Sequence, residues 1–203
     1  GGDPQAAPDE LVTSPLIEVH PDAAALATAV AGELLLRLAD AQQSGRVPHV
    51  GLTGGTIADA LHHELARLSP DSEVDWTRVV VWWGDERFVA AGSPERNAGQ
   101  ARRAFLDAVG ATQVHEMPSS DDAADVAAGA AAYGDLLRAQ GGGEFEVLVL
   151  GVGPDGHVAS LFPGHPALDV DDAIAVGITD SPKPPPERIT LTFGALEHAR
   201  SVW

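Results

Sequence analysis

Residues 145–164 read FEVLVLGVGPDGHVASLFPG, a stretch that joins an apolar run to a glycine-rich polar loop. The apolar run, residues 145–150, predicts a buried strand, and the glycines that follow let the backbone turn sharply. Asp155 and His157 come next, beyond the carboxyl end of that strand, where open α/β sheets hold their ligands. The stretch therefore predicts an α/β fold with an active-site loop. The alternative is a tight turn in which His157 only caps or packs.

The remaining chain alternates between strand and helix patterns without a tandem repeat. Strands are predicted at residues 16–20, 47–52, 77–83, near 114, 145–150, 173–178 and 188–192. Helices are predicted at about residues 21–43, 56–67, 97–109 and 122–140. This alternation predicts an open, mostly parallel Rossmann-like sheet with helices on both faces. We expect residues 1–14 to form a disordered tail and residues 15–203 a single α/β domain, with residues 201–203 beginning a further strand.

Composition excludes several classes of protein. The 203 residues are 44% hydrophobic, enough for a real core, and none is cysteine, which excludes disulfides, thiolate metal sites and a cysteine nucleophile. No apolar run approaches the roughly 20 residues needed to span a bilayer, and the N-terminus lacks a basic segment followed by an apolar one. The expected compartment is the cytoplasm, with no membrane partner.

The formal charge of −18, with only 12 basic residues, argues against a nucleic-acid partner. An anionic small substrate would have to be held by local cations against this field. Lys183, the only lysine, lies in a proline-rich loop, and Arg188 begins a predicted strand five residues later. The two cations can converge on a phosphate, although an exposed lysine without a role is the alternative.

Two other loops follow predicted strands. Residues 53–56 read TGGT before a helix, whose N-terminal amides can bind an anion, but a plain turn explains this pattern equally well. Asp85, Glu86 and Arg87 offer an arginine clamp beside two acids, or else a structural ion-pair network. His62 and His63 lack the i, i+4 spacing of a zinc site and are expected on a solvated face, and Ser160 lacks a nucleophile elbow.

Four motifs, taken together, resemble the 6-phosphogluconolactonase family in order and approximate spacing from near Leu16 to Trp203. They are GDERFV at residues 84–89, ERN at 95–97, LGVGPDGH through Gly164 at 150–164, and SPKPP at 181–185 followed by RITLT at 188–192. The resemblance implies a fold similar to that of glucosamine-6-phosphate deaminase and no metal or organic cofactor. It also implies hydrolysis of 6-phospho-D-glucono-1,5-lactone to 6-phospho-D-gluconate in the oxidative pentose phosphate pathway.

The resemblance also implies roles for individual residues. His157 would be the general base, and Asp155 would orient it. Phosphate would be bound by Arg87, Lys183 and Arg188 with the loop residues Gly54, Gly55 and Thr56. Asp85, Gly153 and Gly156 would also bind the substrate, and Arg96 and Asn97 would shape the sugar pocket or position Arg87. Backbone amides of residues 151–156 are candidate oxyanion donors.

The sequence departs from the family pattern in two places. Val158 stands where many members have threonine, a change that we expect to be tolerated. The family continues beyond the position of Trp203, so a C-terminal part is expected to be missing.

Two alternatives stay open. One is a sugar-phosphate isomerase or deaminase of similar fold, although such enzymes usually read Asn-Glu-Pro-Gly where this chain has residues 161–164, LFPG. The other is a sugar-phosphate sensor that binds without turnover. In each case the expected partner is a small sugar phosphate, with no obligate protein partner.

Overall fold

The structure, a computed structural model, describes residues 15–203 and contains two sheets. The strands are β1 (His49–Leu52), β2 (Val80–Trp83), β3 (Asp85–Arg87), β4 (Gln113–Val114), β5 (Val147–Leu148), β6 (Ala175–Ile178) and β7 (Arg188–Leu191). The helices are α1 (Ala23–Gln43), α2 (Thr56–Leu68), α3 (Asn97–Ala101), α4 (Val126–Gln140) and α5 (Phe193–Leu196). Short 3-10 turns lie at Ser69–Asp71, Trp76–Arg78 and Pro166–Asp169, and a π-helical turn at Arg102–Leu106 extends α3.

The first sheet is parallel and has the strand order β4-β2-β1-β5. The chain moves outward from β1 to β2 and β4 on one side, and then returns to place β5 on the other side of β1. The strand order thus reverses between β1 and β5, which is the point where open α/β sheets form a ligand crevice. The loops after β1, β2 and β5 all leave from this carboxyl edge.

Helices flank the parallel sheet, so the predicted α/β fold is confirmed. Helix α1 begins at Asp22, whose side chain accepts the Ala25 N–H at 2.8 Å. It packs against α2 and buries Leu34 and Leu38 in the core. Helix α4 covers the second sheet, and the hydroxyl of its Tyr133 accepts the Trp83 N–H at the end of β2.

The second sheet is antiparallel, with the order β3-β7-β6, and the prediction of one mostly parallel sheet did not include it. Parallel neighbours need a crossover of about a dozen residues, usually helical, whereas residues 179–187 between β6 and β7 form only a short loop. The Asp85–Arg87 segment, expected as a loop, is the third strand of this sheet.

One predicted strand is absent, and two predicted helices differ in length. Residues 16–20 are not a strand: Leu16, Ile17 and Val19 are 85%, 80% and 90% exposed, and an apolar pattern forms no strand without a hydrogen-bonded neighbour. Helix α4 begins at Val126, after its N-cap Asp125, and not at residue 122. Helix α3 is regular only to Ala101. The expected disordered tail, residues 1–14, lies outside the described residues.

The segment at the end of the chain does pair with the sheet, as predicted for residues 201–203. Val202 bridges Leu148 in parallel, and Trp203 exchanges two backbone hydrogen bonds with Leu148 and Leu150. Among residues 15–203 no helix combines the length and the apolar character that crossing a membrane requires.

Candidate active site

Loops from both sheets meet at the carboxyl edge of the parallel strands. The glycine turn follows β1, strand β3 follows β2 through Gly84, and the His157 loop follows β5. The amide of Gly84 donates to the Leu52 carbonyl, and the Gly84 carbonyl accepts the Leu191 N–H of β7. Gly84 therefore joins the end of the parallel sheet to the antiparallel sheet, which brings the predicted motifs to one place.

His157 and Asp155 form a close pair. The imidazole Nδ1 lies 2.5 Å from Asp155 Oδ1, and the His157 side chain is only 15% exposed. The hydrogen bond to His157 lowers the pKa of Asp155, so this carboxylate is ionised at neutral pH. An ionised Asp155 favours a proton on Nδ1 and leaves Nε2 as the free, basic nitrogen.

The glycines of the loop create this pair by backbone geometry. Gly156 has φ +88°, a conformation that side chains strongly disfavour, and the Gly153 amide donates to the His157 carbonyl at 2.9 Å. The His157 ring lies so close to Gly153 that a Cβ there would collide with it. Gly153 and Gly156 therefore shape the loop around the imidazole.

Phe162 connects the His157 loop to a buried cation. Its ring centroid is 4.8 Å from that of His157, and the Arg188 guanidinium carbon lies 5.8 Å from the same ring centroid. Phe162 itself is 3% exposed. The imidazole and the guanidinium therefore lie on one buried aromatic side chain.

Arg188 faces a second arginine. In the register of β3 and β7, Arg87 is directly opposite Arg188, and like charges in that relation destabilise a sheet unless an anion compensates them. Burial lowers the pKa of the Arg188 guanidinium, and the charge of Arg87 lowers it further. The Nε of Arg87 is buried and has no acceptor among the described residues. The pair is suited to bind an anion.

The proline-rich loop is fixed by Arg188. The guanidinium donates to the carbonyls of Lys183, Pro184 and Pro185 at 3.1–3.3 Å. Within residues 15–203, no hydrogen bond uses Nη1 of Arg188, so this nitrogen can still contact a ligand. The Lys183 side chain is exposed, and the Lys183 backbone is held by Arg188.

The glycine turn presents a helix N-terminus. Gly55, with φ +96°, is the N-cap of the 13-residue α2 and provides no side chain to bond its first amides. Thr56, the first residue of the helix, is exposed. Gly54 lies against Asn97 so closely that a Cβ would collide with its amide oxygen. That Oδ1 atom is buried and accepts no hydrogen bond within the described chain.

The two acids of the GDER motif do not bond the guanidinium of Arg87. Buried Glu86 accepts the backbone N–H groups of Arg87, Asn97 and Ala98 at 2.8–2.9 Å, and these bonds hold the start of α3. Burial raises the pKa of Glu86, against the effect of those hydrogen bonds. Asp85, 6% exposed, accepts the Ser160 hydroxyl at 2.7 Å.

Arg96 and Asn97 bond to backbone carbonyls around the site. Arg96 is buried and donates to the Met117 and Arg87 carbonyls at 2.6 Å and 3.4 Å, so it contacts the backbone of Arg87 and not its guanidinium. Asn97 donates through Nδ2 to the Asp85 carbonyl at 3.1 Å.

Sequence reasoning gave no role to Phe162 or Thr190, set Ser160 aside because it lacks a nucleophile elbow, and placed Glu86 only as an acid beside Arg87. These residues lie within the quoted motifs, but the contacts of Ser160 with Asp85 and Thr190, and of Phe162 with Arg188, join segments that sequence alone does not bring together. His62 was also misjudged: it is 3% exposed and stacks on Phe105, whereas His63 is exposed. The residues that the structure describes contain no cluster of three or more His, Asp or Glu side chains arranged to hold a metal ion.

Known proteins share both the sequence and the fold of this chain. A 6-phosphogluconolactonase of Streptomyces coelicolor is 44% identical over 201 residues, covering 94% of this chain and 77% of that protein. One of Mycobacterium tuberculosis is 39% identical over 196 residues, covering 92% and 78%. A solved 6-phosphogluconolactonase of Shewanella baltica superposes with a TM-score of 0.79 at 25% identity, covering 89% of this chain and 76% of that one.

A solved 6-phosphogluconolactonase of Trypanosoma cruzi superposes with a TM-score of 0.81 at 24% identity, and the superposition covers 93% of this chain and 79% of that one. At this identity the likeness supports the fold alone. Residues 21–203 match the family described as glucosamine-6-phosphate isomerases/6-phosphogluconolactonase. The chain belongs to this glucosamine-6-phosphate isomerase/6-phosphogluconolactonase family.

Proposed function

We propose that this protein is a 6-phosphogluconolactonase that hydrolyses 6-phospho-D-glucono-1,5-lactone to 6-phospho-D-gluconate in the pentose phosphate pathway. The observation that carries the proposal is the His157–Asp155 pair, 2.5 Å apart, linked through Phe162 to Arg188. A base beside an anion site fits a substrate with an electrophilic carbonyl at one end and a phosphate at the other. Sequence identity of 44% to a named lactonase supports the same reaction.

His157 is the general base. With a proton on Nδ1, directed at Asp155, the imidazole accepts a proton from water through Nε2 while the water oxygen attacks C1 of the lactone. The resulting tetrahedral intermediate carries its negative charge on the former carbonyl oxygen. When the C1–O5 bond breaks, the proton held by the imidazolium passes to O5, which becomes the sugar hydroxyl. The other product group is a carboxylic acid, which releases its remaining proton to solvent and becomes a carboxylate, so the step needs only water.

The phosphate is bound by charges from three segments. Arg87 and Arg188 supply guanidinium groups from opposite positions of paired strands, Lys183 supplies an exposed ammonium, and the first amides of α2 at Gly55 and Thr56 add a partial positive charge. Neutralising the like charges of the two arginines makes anion binding favourable in spite of the net charge of −18. Asn97, Gly153 and Gly156 then border the sugar, Asp85 holds the Ser160 hydroxyl, and Arg96 holds the surrounding backbone.

The isomerase alternative needs an acid or base able to move a proton between C1 and C2. Phe162, buried against His157, occupies the place where such enzymes usually have glutamate. We therefore favour hydrolysis. We also propose the cytoplasm as the compartment and the sugar-phosphate lactone as the partner.

The direct test follows product release from freshly prepared 6-phosphogluconolactone, corrected for spontaneous hydrolysis, beside unphosphorylated gluconolactone at the same concentration. We expect the kcat/KM of the phosphorylated lactone to be at least about 10²-fold higher than that of gluconolactone, because gluconolactone lacks the phosphate that makes charge-assisted contacts. Binding of 6-phosphogluconate without any turnover of the lactone would contradict hydrolysis and support the sensor.

A further inference from the structure

Ser160 is a fully buried serine three residues after His157 that the proposed reaction does not use. Its hydroxyl donates to Asp85 Oδ2 at 2.7 Å, and its backbone amide donates to Thr190 Oγ1 at 3.2 Å. Asp85 and Thr190 are themselves directly opposite each other in the pairing of β3 with β7. Ser160 is thus attached to both members of one cross-strand pair.

The next pair on the same face of that sheet is the pair of arginines. Side chains two residues apart on a strand point to the same side, so the Asp85–Thr190 pair and the Arg87–Arg188 pair share a face, about 7 Å apart. Phe162, two residues after Ser160, contacts Arg188. The chain from Ser160 to Phe162 therefore runs along the sheet from the Asp85–Thr190 pair to the Arg87–Arg188 pair.

The backbone before Ser160 is strained. Ala159 has φ +49°, the one residue other than glycine with positive φ among residues 15–203. Such a conformation persists only where neighbouring contacts impose it. Here the Leu161 N–H bonds the Val158 carbonyl at 2.9 Å across Ala159, and the two hydrogen bonds of Ser160 hold the residue that follows.

We propose that Ser160 is a positioning residue: bound to Asp85 and Thr190, it fixes the distance between His157 and the Arg87–Arg188 pair. The inference rests on the proposed function, since it assigns His157 to the carbonyl end of the substrate and the arginines to the phosphate end. A substrate anchored by its phosphate presents C1 at a fixed place, and the base must be held there. Asp85 accordingly acts through Ser160.

The test compares the parent chain with Ser160→Ala. We expect kcat for the lactone to fall about 10- to 10²-fold, since misplacing a base by about 1 Å has effects of this size. The inhibition constant of the product 6-phosphogluconate should stay within about threefold, because the phosphate-binding residues lie on other segments. This division between kcat and product binding separates positioning from general loss of structure.

Ser119→Ala is the matched control. Ser119 is also fully buried, and its hydroxyl donates to Asp122 Oδ2 at the same 2.7 Å, but it lies in the loop before α4. We expect it to leave kcat within about threefold of the parent value. Should Ser160→Ala not fold, Thr190→Val, which is nearly isosteric on a strand, is judged by the same two measurements.

Each result decides the question. A kcat for Ser160→Ala within about threefold of the parent value overturns the positioning role, as does a parallel loss of kcat and product affinity. A parent chain without lactone turnover contradicts the proposed function itself. An active parent whose kcat is equalled by that of Ser160→Ala contradicts only this inference.

Discussion

The proposed reaction gives His157 and Lys183 separable tasks at the scale of single residues. His157 is held at its Nδ1 by Asp155, and the proposal places it at the carbonyl end of the substrate. Lys183 is exposed on the loop that Arg188 fixes, and the proposal places its charge at the phosphate end. Removing the His157 side chain should therefore change turnover, and removing the Lys183 side chain should change binding.

Lys183→Ala tests the binding task. We expect KM for the lactone to rise about 10- to 10²-fold, the size of one lost charge-assisted hydrogen bond, while kcat changes much less. Steady-state kinetics of the two chains measure both constants. Arg138→Ala, which removes an exposed cation paired with Asp135 on α4, is the control and should behave as the parent. An unchanged KM for Lys183→Ala would remove Lys183 from the phosphate site.

Local sequence predicted the residues that act within their own segment. The acid and the histidine of the GPDGH run bond to each other two residues apart, so their relation could be inferred from the motif. The bond from Ser160 to Asp85 and the bonds from Glu86 to the start of α3 could not be assigned, because they join residues 75 and 11–12 positions apart. Arg188 was predicted as a phosphate ligand, but its three bonds to the proline-rich loop depend on a backbone path that sequence does not specify.

Helices α2 and α3 meet at the glycine turn, and their approach is the critical feature at the scale of elements. Glu86 holds the first amides of α3, and Asn97, the first residue of α3, touches Gly54 just before α2. Little space separates the two helix starts. The position of the α2 amides therefore depends on the absence of a side chain at residue 54.

Gly54→Ala tests this close approach. Gly54 does not have a positive φ, so alanine adds no backbone strain, but its Cβ would collide with the Asn97 side chain. We expect kcat/KM to fall about 10²-fold as the α2 amides and Asn97 move apart. Gly92→Ala is the control because a Cβ there meets open space. Parental kinetics for Gly54→Ala would show that the turn is not part of the site.

The molecule as a whole joins a parallel sheet to an antiparallel one, and only the first was predictable from strand–helix alternation. The second depends on β3, three polar residues that no strand pattern marks, and on pairing across about a hundred residues of chain. The predicted strand at residues 16–20 failed for the same reason, since no strand among residues 15–203 lies beside it. Propensity predicts extended backbone, whereas pairing is decided by the whole fold.

Global stability should fall in acid because of buried His62. Burial lowers the pKa of His62 to about 4, so the unfolded chain, with a pKa near 6.5, binds the proton first as the pH falls. This group alone should reduce the free energy of unfolding by about 3 kcal/mol between pH 6.5 and pH 4. Urea unfolding across this range should give a smaller loss for His62→Leu than for the parent.

The neighbouring exposed residue provides the comparison. His63→Leu leaves His62 buried against Phe105, so it should still lose more stability in acid than His62→Leu does. Equal pH dependence in the parent and His62→Leu would mean that His62 is protonated without cost.

The most direct test of the central claim is kcat for 6-phosphogluconolactone in the parent and in His157→Ala, each corrected for spontaneous hydrolysis. His198→Ala, which removes an exposed histidine outside the site, serves as the control. We predict that kcat falls about 10²- to 10⁴-fold in His157→Ala, the usual contribution of a general base, and that His198→Ala retains the parental value. A His157→Ala chain that hydrolyses the lactone at the parental rate would contradict the assignment of the base.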